Sequence, residues 1–281
     1  MSDASELKFK IPFANYCNVK AVNVSTLLLY AGVTPEEGRF EELHPKKDTT
    51  SLVKGHATHA AVLEPNVFAD TYCCMPSFGD RRTNAAKAAE AEWLRANGDK
   101  IALTEAENDA ALGASKRLLE SPITHDLFTG LGQNEVSVFW TDKATGLKCK
   151  ARLDRLTEWH GYQTLADIKT AYDISDRGIA TAIGEYRYPT RMAWYSDALA
   201  LIRPAEWRVV FAWAKNKPSY EVRVTECDED AMTEGRAQYR ALLDLYAECL
   251  AADKWPSYPE GIEVVNPPRW YYTYTQPKGI L

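Results

Sequence analysis

Residues 147–173, LKCKARLDRLTEWHGYQTLADIKTAYD, decide the reading of this chain. Asp154 stands at the end of one β-like segment, and the triplet Asp167-Ile168-Lys169 stands at the end of the next. The short apolar alternation in QTLADIK, bounded by polar turns, is that of a strand running into a site. Two carboxylates brought together across adjacent strands make a hard, all-oxygen site suited to Mg²⁺ or Mn²⁺. A lysine two positions after the second acid points to the same side of a strand, because side chains alternate with period two. Such a lysine can orient a water or neutralise charge on a phosphate. The combination suits phosphodiester hydrolysis, although Asp-x-Lys by itself is common on solvated strand faces.

Outward from this stretch the period changes at Glu135. NEVSVFWTDKATGLKCKARLDRLTEWHGYQTLADIKT predicts a three-stranded meander with turns at 142–146 and 160–161. A helix interrupted by Pro189 follows, then two more strands joined at 215–218. A long helix with acidic first-turn residues comes next, and an aromatic, proline-rich tail draped on the surface closes the chain. Upstream, Ser25 is the expected N-cap of STLLLYAG and Gly32 its stop. A second helix carries His56 and His59 and ends at Pro65, and an Ala-rich helix and one capped by Thr104 come after it. The expected organisation is a single domain over 1–281. Residues 1–130 are its mainly helical part, 131–255 its catalytic sheet and helices, and 256–281 its tail.

The chain has 281 residues, 46% of them apolar, and eight tryptophans, enough for a full core. No apolar run approaches the eighteen or so residues of a membrane span, and the acidic, polar start is unlike a secretory signal, so no membrane partner and a cytoplasmic location are expected. Six scattered cysteines without a CxxC pair read as reduced thiols, not as a disulfide frame, a zinc site or an iron–sulfur site. The net charge of −6 weighs against nucleic-acid binding, yet clustered metal-binding carboxylates contribute to it and a local basic surface can coexist with it.

Several blocks, in order, resemble the PD-(D/E)xK nuclease superfamily, and within it phage and prophage exonucleases of the RecE (exonuclease VIII) type. They are GHATHAAVLEPNVF, DRRT, NEVSVFW, TGLKCKARLDRL, LADIKTAYDIS, YPTRMAWYSDAL and KWPSY, spanning roughly residues 20–270. The specific part is a Gly-x-Ala-x-His block ending in Leu-Glu-Pro, then Arg-x-Asp, then Asp-Ile-Lys-Thr. The resemblance implies an α/β, restriction-endonuclease-like core, a mixed central sheet flanked by helices, with a helical N-terminal elaboration. It makes His59, Asp154 and Asp167 metal ligands, with the backbone carbonyl of Ile168 completing the shell and Glu135 assisting a second ion. Lys169 becomes the catalytic lysine beside Asp154 and Asp167.

The resemblance also puts Tyr195 on a helix motif that contacts DNA or steadies the site, and Arg191 replaces the glutamine usual there. Arg only donates hydrogen bonds and brings a full charge, so Arg191 is a candidate phosphate contact, four residues from Arg187 on an expected common helical face. Arg81 and Arg82 are further candidates for phosphate contacts. The implied activity is Mg²⁺-dependent (Mn²⁺ substituting) hydrolysis of linear double-stranded DNA from the 5′ end, leaving 3′ single-stranded tails for phage recombination. Double-stranded DNA ends, a ring-shaped homo-oligomer and a single-strand annealing protein are the implied partners. A structure-specific or single-strand RecB-type nuclease, or a catalytically idle DNA-binding phage protein, would share many of these residues.

Overall fold

The computed structural model describes residues 5–8, 11–47, 49–80 and 82–273. In chain order the N-terminal part comprises β1 (Glu6–Lys8), α1 (Phe13–Asn18), α2 (Val24–Leu28), α3 (Pro35–Leu43), α4 (Thr50–Leu63) and α5 (Pro65–Thr71). It continues through β2 (Tyr72–Cys74), α6 (Asn84–Ala96), β3 (Ile101–Leu103), α7 (Glu105–Glu120) and α8 (His125–Thr129). The sheet region holds β4 (Gly132–Thr141), β5 (Lys148–Trp159), β6 (Tyr162–Ala171), α9 (Asp176–Glu185) and α10 (Tyr188–Ala200). Then come β7 (Arg208–Lys215), β8 (Val222–Glu226), α11 (Glu229–Ala252) and α12 (Arg269–Thr273).

The main sheet has the order β1-β4-β5-β6-β7-β8. Among the described residues of this sheet, only β6 and β7 run parallel, and they are joined by the helical crossover α9–α10. The expected meander is β4–β5–β6. Its second turn is the two-residue His160-Gly161, both at positive φ (51° and 80°), whose twist matches that of the flanking strands. Alternation on β7 divides the core. Phe211 and Trp213 pack with Met192, Trp194 and Leu199 of α10, Leu243 and Tyr246 of α11 and Leu27 of α2. Val210, Ala212 and Ala214 face the other way, toward Val62 and Leu63 of α4, Ala114 and Leu118 of α7 and Phe128 of α8. Helices therefore cover both faces of the sheet, as a sheet buried on both faces requires. Among the described residues no helix is long and apolar enough to cross a membrane.

Several expectations are corrected. Asn23 caps α2, its side chain accepting from the Thr26 N–H (2.9 Å), while Ser25 lies inside the helix. Pro65 ends α4 and also opens α5, because a proline in the first helical turn sacrifices no hydrogen bond. Pro189 likewise sits in the first turn of α10, and Arg187 before it is left-handed (φ 49°), so Arg187 and Arg191 do not share a helical face. Asp154 lies inside β5, not at its end. Helix α3, capped by Thr34, and the small parallel pair β2–β3 had no counterpart in the sequence reading.

Candidate active site

The site forms where β5 and β6 part. Their pairing runs from Trp159↔Tyr162 to Arg155↔Ala166 and stops, so the next register position sets Asp154 opposite Asp167. The orphaned Ile168 N–H is taken by Asp154 Oδ2 (2.8 Å), which fixes that carboxylate at the mouth of the split. On the other side of β5 the ladder with β4 lacks one step: Asn134 pairs with Arg155 and Val136 with Leu153, but Glu135, opposite Asp154, is at φ 52°. A non-glycine residue in the left-handed region costs about 1–3 kcal/mol and persists only where its surroundings fix it. They do so here. Asn134 donates to the Leu63 carbonyl at the end of α4 (2.7 Å) and accepts from Arg155 (2.7 Å). The buried Arg155 guanidinium also holds the carbonyls of Leu127 and Gly130 (2.8 and 2.6 Å).

Helix α4 brings His59 to the same place. Its Nδ1 lies 3.2 Å from Asp154 Oδ2. His59, Glu135 and Asp154 each offer a ligand atom, all within 4.8 Å of one another. Asp167 is 5% exposed and ion-paired with Lys169, whose ammonium also lies over the Tyr188 ring at 4.7 Å.

The electrostatics fit a cation. Burial pushes Glu135 up to about 7, the Asp154 charge adding to it and Arg152 opposing. Burial also raises Asp167, with Lys169 opposing and Asp154 adding to the rise. Asp154 is the exception: burial would raise it too, but His59, Lys169 and the Ile168 N–H together hold it below the usual range. For His59 burial works downward and is outweighed by Asp154, so the imidazole is raised. Three carboxylates crowded out of water repel one another, and a divalent ion relieves that repulsion. Carboxylate oxygens with one imidazole make a donor set that fits a divalent cation.

Tyr195 of α10 is pushed up to about 12, by burial first, with Arg191 opposing and Asp167 adding, so its phenol stays a proton donor near the site. Arg191 donates to Ser25 Oγ (2.7 Å) and to the Tyr186 carbonyl (3.4 Å), neither of which neutralises its charge. Arg82 is engaged by Asp80 through two near-parallel contacts (3.0 and 2.8 Å) on the exposed turn before α6. Arg81 lies outside the described residues. Tyr188, Glu64 and Arg152 all lie inside the blocks quoted above but are not candidates there as individual residues; for Arg152 the signal is its period-two spacing from Asp154.

A candidate exonuclease from Eubacterium rectale has a similar structure, with a TM-score of 0.60 and 15% identity over 97% of this chain and 100% of the other. A protein named SSO0001 gives 0.33 at 13% identity over 80% and 75%, too distant to bear on the fold. No curated protein matches the sequence. The mixed sheet and the two-faced helical cover are those of a PD-(D/E)xK core. Residues 33–268 match the model of a PDDEXK-like domain of unknown function, DUF3799, and the chain belongs to that family.

Proposed function

We propose that the protein is a divalent-metal-dependent deoxyribonuclease that degrades linear duplex DNA, 5′ to 3′, leaving 3′ single-stranded tails. The observation that carries this reading is the convergence of His59, Glu135 and Asp154 on one ligand cluster, with Asp167 and Lys169 across the β5–β6 split. His59, Asp154 and Asp167 would hold a metal ion, with the Ile168 carbonyl and Glu135 contributing. When bound, such an ion supplies Lewis acidity to a phosphate and acidifies an attacking water.

The remaining chemistry falls to the chain's own groups. Lys169, paired with Asp167 and lying over the Tyr188 face, can donate to a phosphoryl oxygen or hold a water in line with the scissile bond. Asp154 is held in one orientation by the Ile168 N–H and His59, so little reorganisation is required when substrate arrives. Arg191, with no carboxylate partner among the described residues, would take a flanking phosphate, and Tyr195 would donate a hydrogen bond.

The block-by-block resemblance to RecE-like enzymes supports an exonuclease over an endonuclease, and a candidate exonuclease has the same fold. The same resemblance supports a homo-oligomeric ring, a single-strand annealing partner and a setting in phage recombination. Incubation of linear, nicked and covalently closed plasmid with Mg²⁺, and with EDTA as control, tests the activity. Loss of the linear form alone, with 5′ label released first, is expected. Cleavage of the closed circle, or no Mg²⁺-dependent loss of any form, would overturn the proposal.

A further inference from the structure

Arg152, in the Arg-x-Asp block, has no part in the scheme above, yet it touches it directly. Its Nε pairs with Glu135 Oε2, its Nη2 lies 3.5 Å from Glu64 Oε2, and its Nη1 donates to the Ile11 carbonyl at 2.8 Å. The guanidinium also lies 5.7 Å from the Phe13 ring centre and 5.9 Å from that of Tyr16. These contacts leave the side chain only 8% exposed.

Such a group does not serve as a phosphate contact, because the N-terminal segment covers it. Nor is it a simple surface ion pair, since a buried charge held by several fixed partners keeps its geometry. Of its two acids, Glu64 is farther and more exposed, at the C-terminal end of α4. Glu135 is the closer one. It is the residue whose backbone leaves the regular strand conformation in the middle of β4 and whose carboxylate joins the cluster with His59 and Asp154.

We propose that Arg152 is a positioning residue: its guanidinium sets the Glu135 carboxylate beside His59 and Asp154, and divalent-ion affinity depends on that pairing. This rests on the reading of those three residues as metal ligands. Without Arg152, Glu135 is free to swing away, and the left-handed conformation at residue 135 loses one of the contacts that hold it. Groups that orient a ligand from behind typically change metal affinity by about 10–100-fold when removed.

The test is a double-mutant cycle read by calorimetric titration with Mn²⁺ alone, on the full chain, with thermal melts to confirm folding. Arg152→Gln is expected to weaken Mn²⁺ binding about tenfold or more, as is Glu135→Gln. The double variant is expected to bind within about threefold of Glu135→Gln, because two residues acting as one unit are not additive. If Arg152→Gln does not fold, Arg152→Lys, which keeps the charge but not the fork, takes its place with the same expectations. Losses that add fully in the double variant, or a lowered melting temperature with unchanged Mn²⁺ affinity, would overturn the proposal. The readout needs no DNA, so a wild type that binds Mn²⁺ but leaves DNA intact would count against the nuclease reading alone.

Discussion

Lys169 carries the heaviest single role in this account, and its replacement is the sharpest residue-level check. Lys169→Ala is expected to lower kcat by more than tenfold while duplex-end binding stays within a few-fold, because its contribution belongs to the transition state. Steady-state kinetics under saturating Mg²⁺ measure this, and a variant retaining more than about a tenth of wild-type kcat would remove Lys169 from the mechanism. His59→Ala is expected to weaken Mn²⁺ binding more than Mg²⁺ binding, since imidazole favours the softer ion. Equal losses for both ions in parallel titrations would argue against an imidazole ligand. Arg191→Gln should lower the slope of log K against log salt by about one unit, because its partners Ser25 and Tyr186 leave its charge free for a phosphate. An unchanged slope would leave it as a tie between α2 and α10. His59, Asp154, Asp167 and Lys169 stand out as candidates because they fall in blocks that resemble PD-(D/E)xK nucleases, and the structure brings them to one place. Arg82 was not settled that way: whether an arginine is free or held by a neighbouring acid depends on turn geometry, and Asp80 holds it.

At the scale of elements, long periodic segments were readable and short ones were not. The three-stranded meander and α11 announce themselves by sustained alternation or helical spacing. α3 has nine residues, and β2 and β3 have three each, too few to establish a period. The departure of Glu135 from strand geometry was also invisible, because it is held by bonds from its neighbour Asn134 to Leu63 and Arg155, both distant in the chain. The β4–β5 turn offers an element-level test. Asp142 binds Arg240 of α11 (2.7 and 3.1 Å) and the Thr145 N–H and hydroxyl (2.9 and 2.8 Å). Burial would raise this carboxyl, but the Arg240 and Thr145 hydrogen bonds outweigh it and hold it below the usual range. A depressed folded-state value means the stabilisation is complete above the ordinary aspartate pKa of about 3.9 and is lost as pH falls through the lower, folded value. Asp142→Asn should therefore cost about 2 kcal/mol at pH 7, and the gap to wild type should begin to narrow below about pH 4 and close as the pH passes the lower folded value. A gap that stays constant with pH would mean the carboxylate charge contributes nothing.

For the molecule as a whole, the layered architecture serves the site by bringing three separate supports to one point. Helix α4 delivers His59 from one face of the sheet, α10 sets Tyr188 and Tyr195 from the other, and the β5–β6 split presents the acids between them. Fold class was legible because the order of strands and helices limits the layers that can bury both sheet faces. Which face each helix covers is set by packing among residues far apart in the chain, such as Leu27 with Leu243 and Tyr246. Together these layers would build a divalent-metal centre, which anomalous diffraction from crystals soaked in Mn²⁺ can locate. A strong peak is expected within bonding distance, about 2.0–2.4 Å, of ligand atoms from His59 and Asp154, with Glu135 or Asp167 completing the set. No peak there, with the fold intact and Mn²⁺ in excess, would contradict that reading.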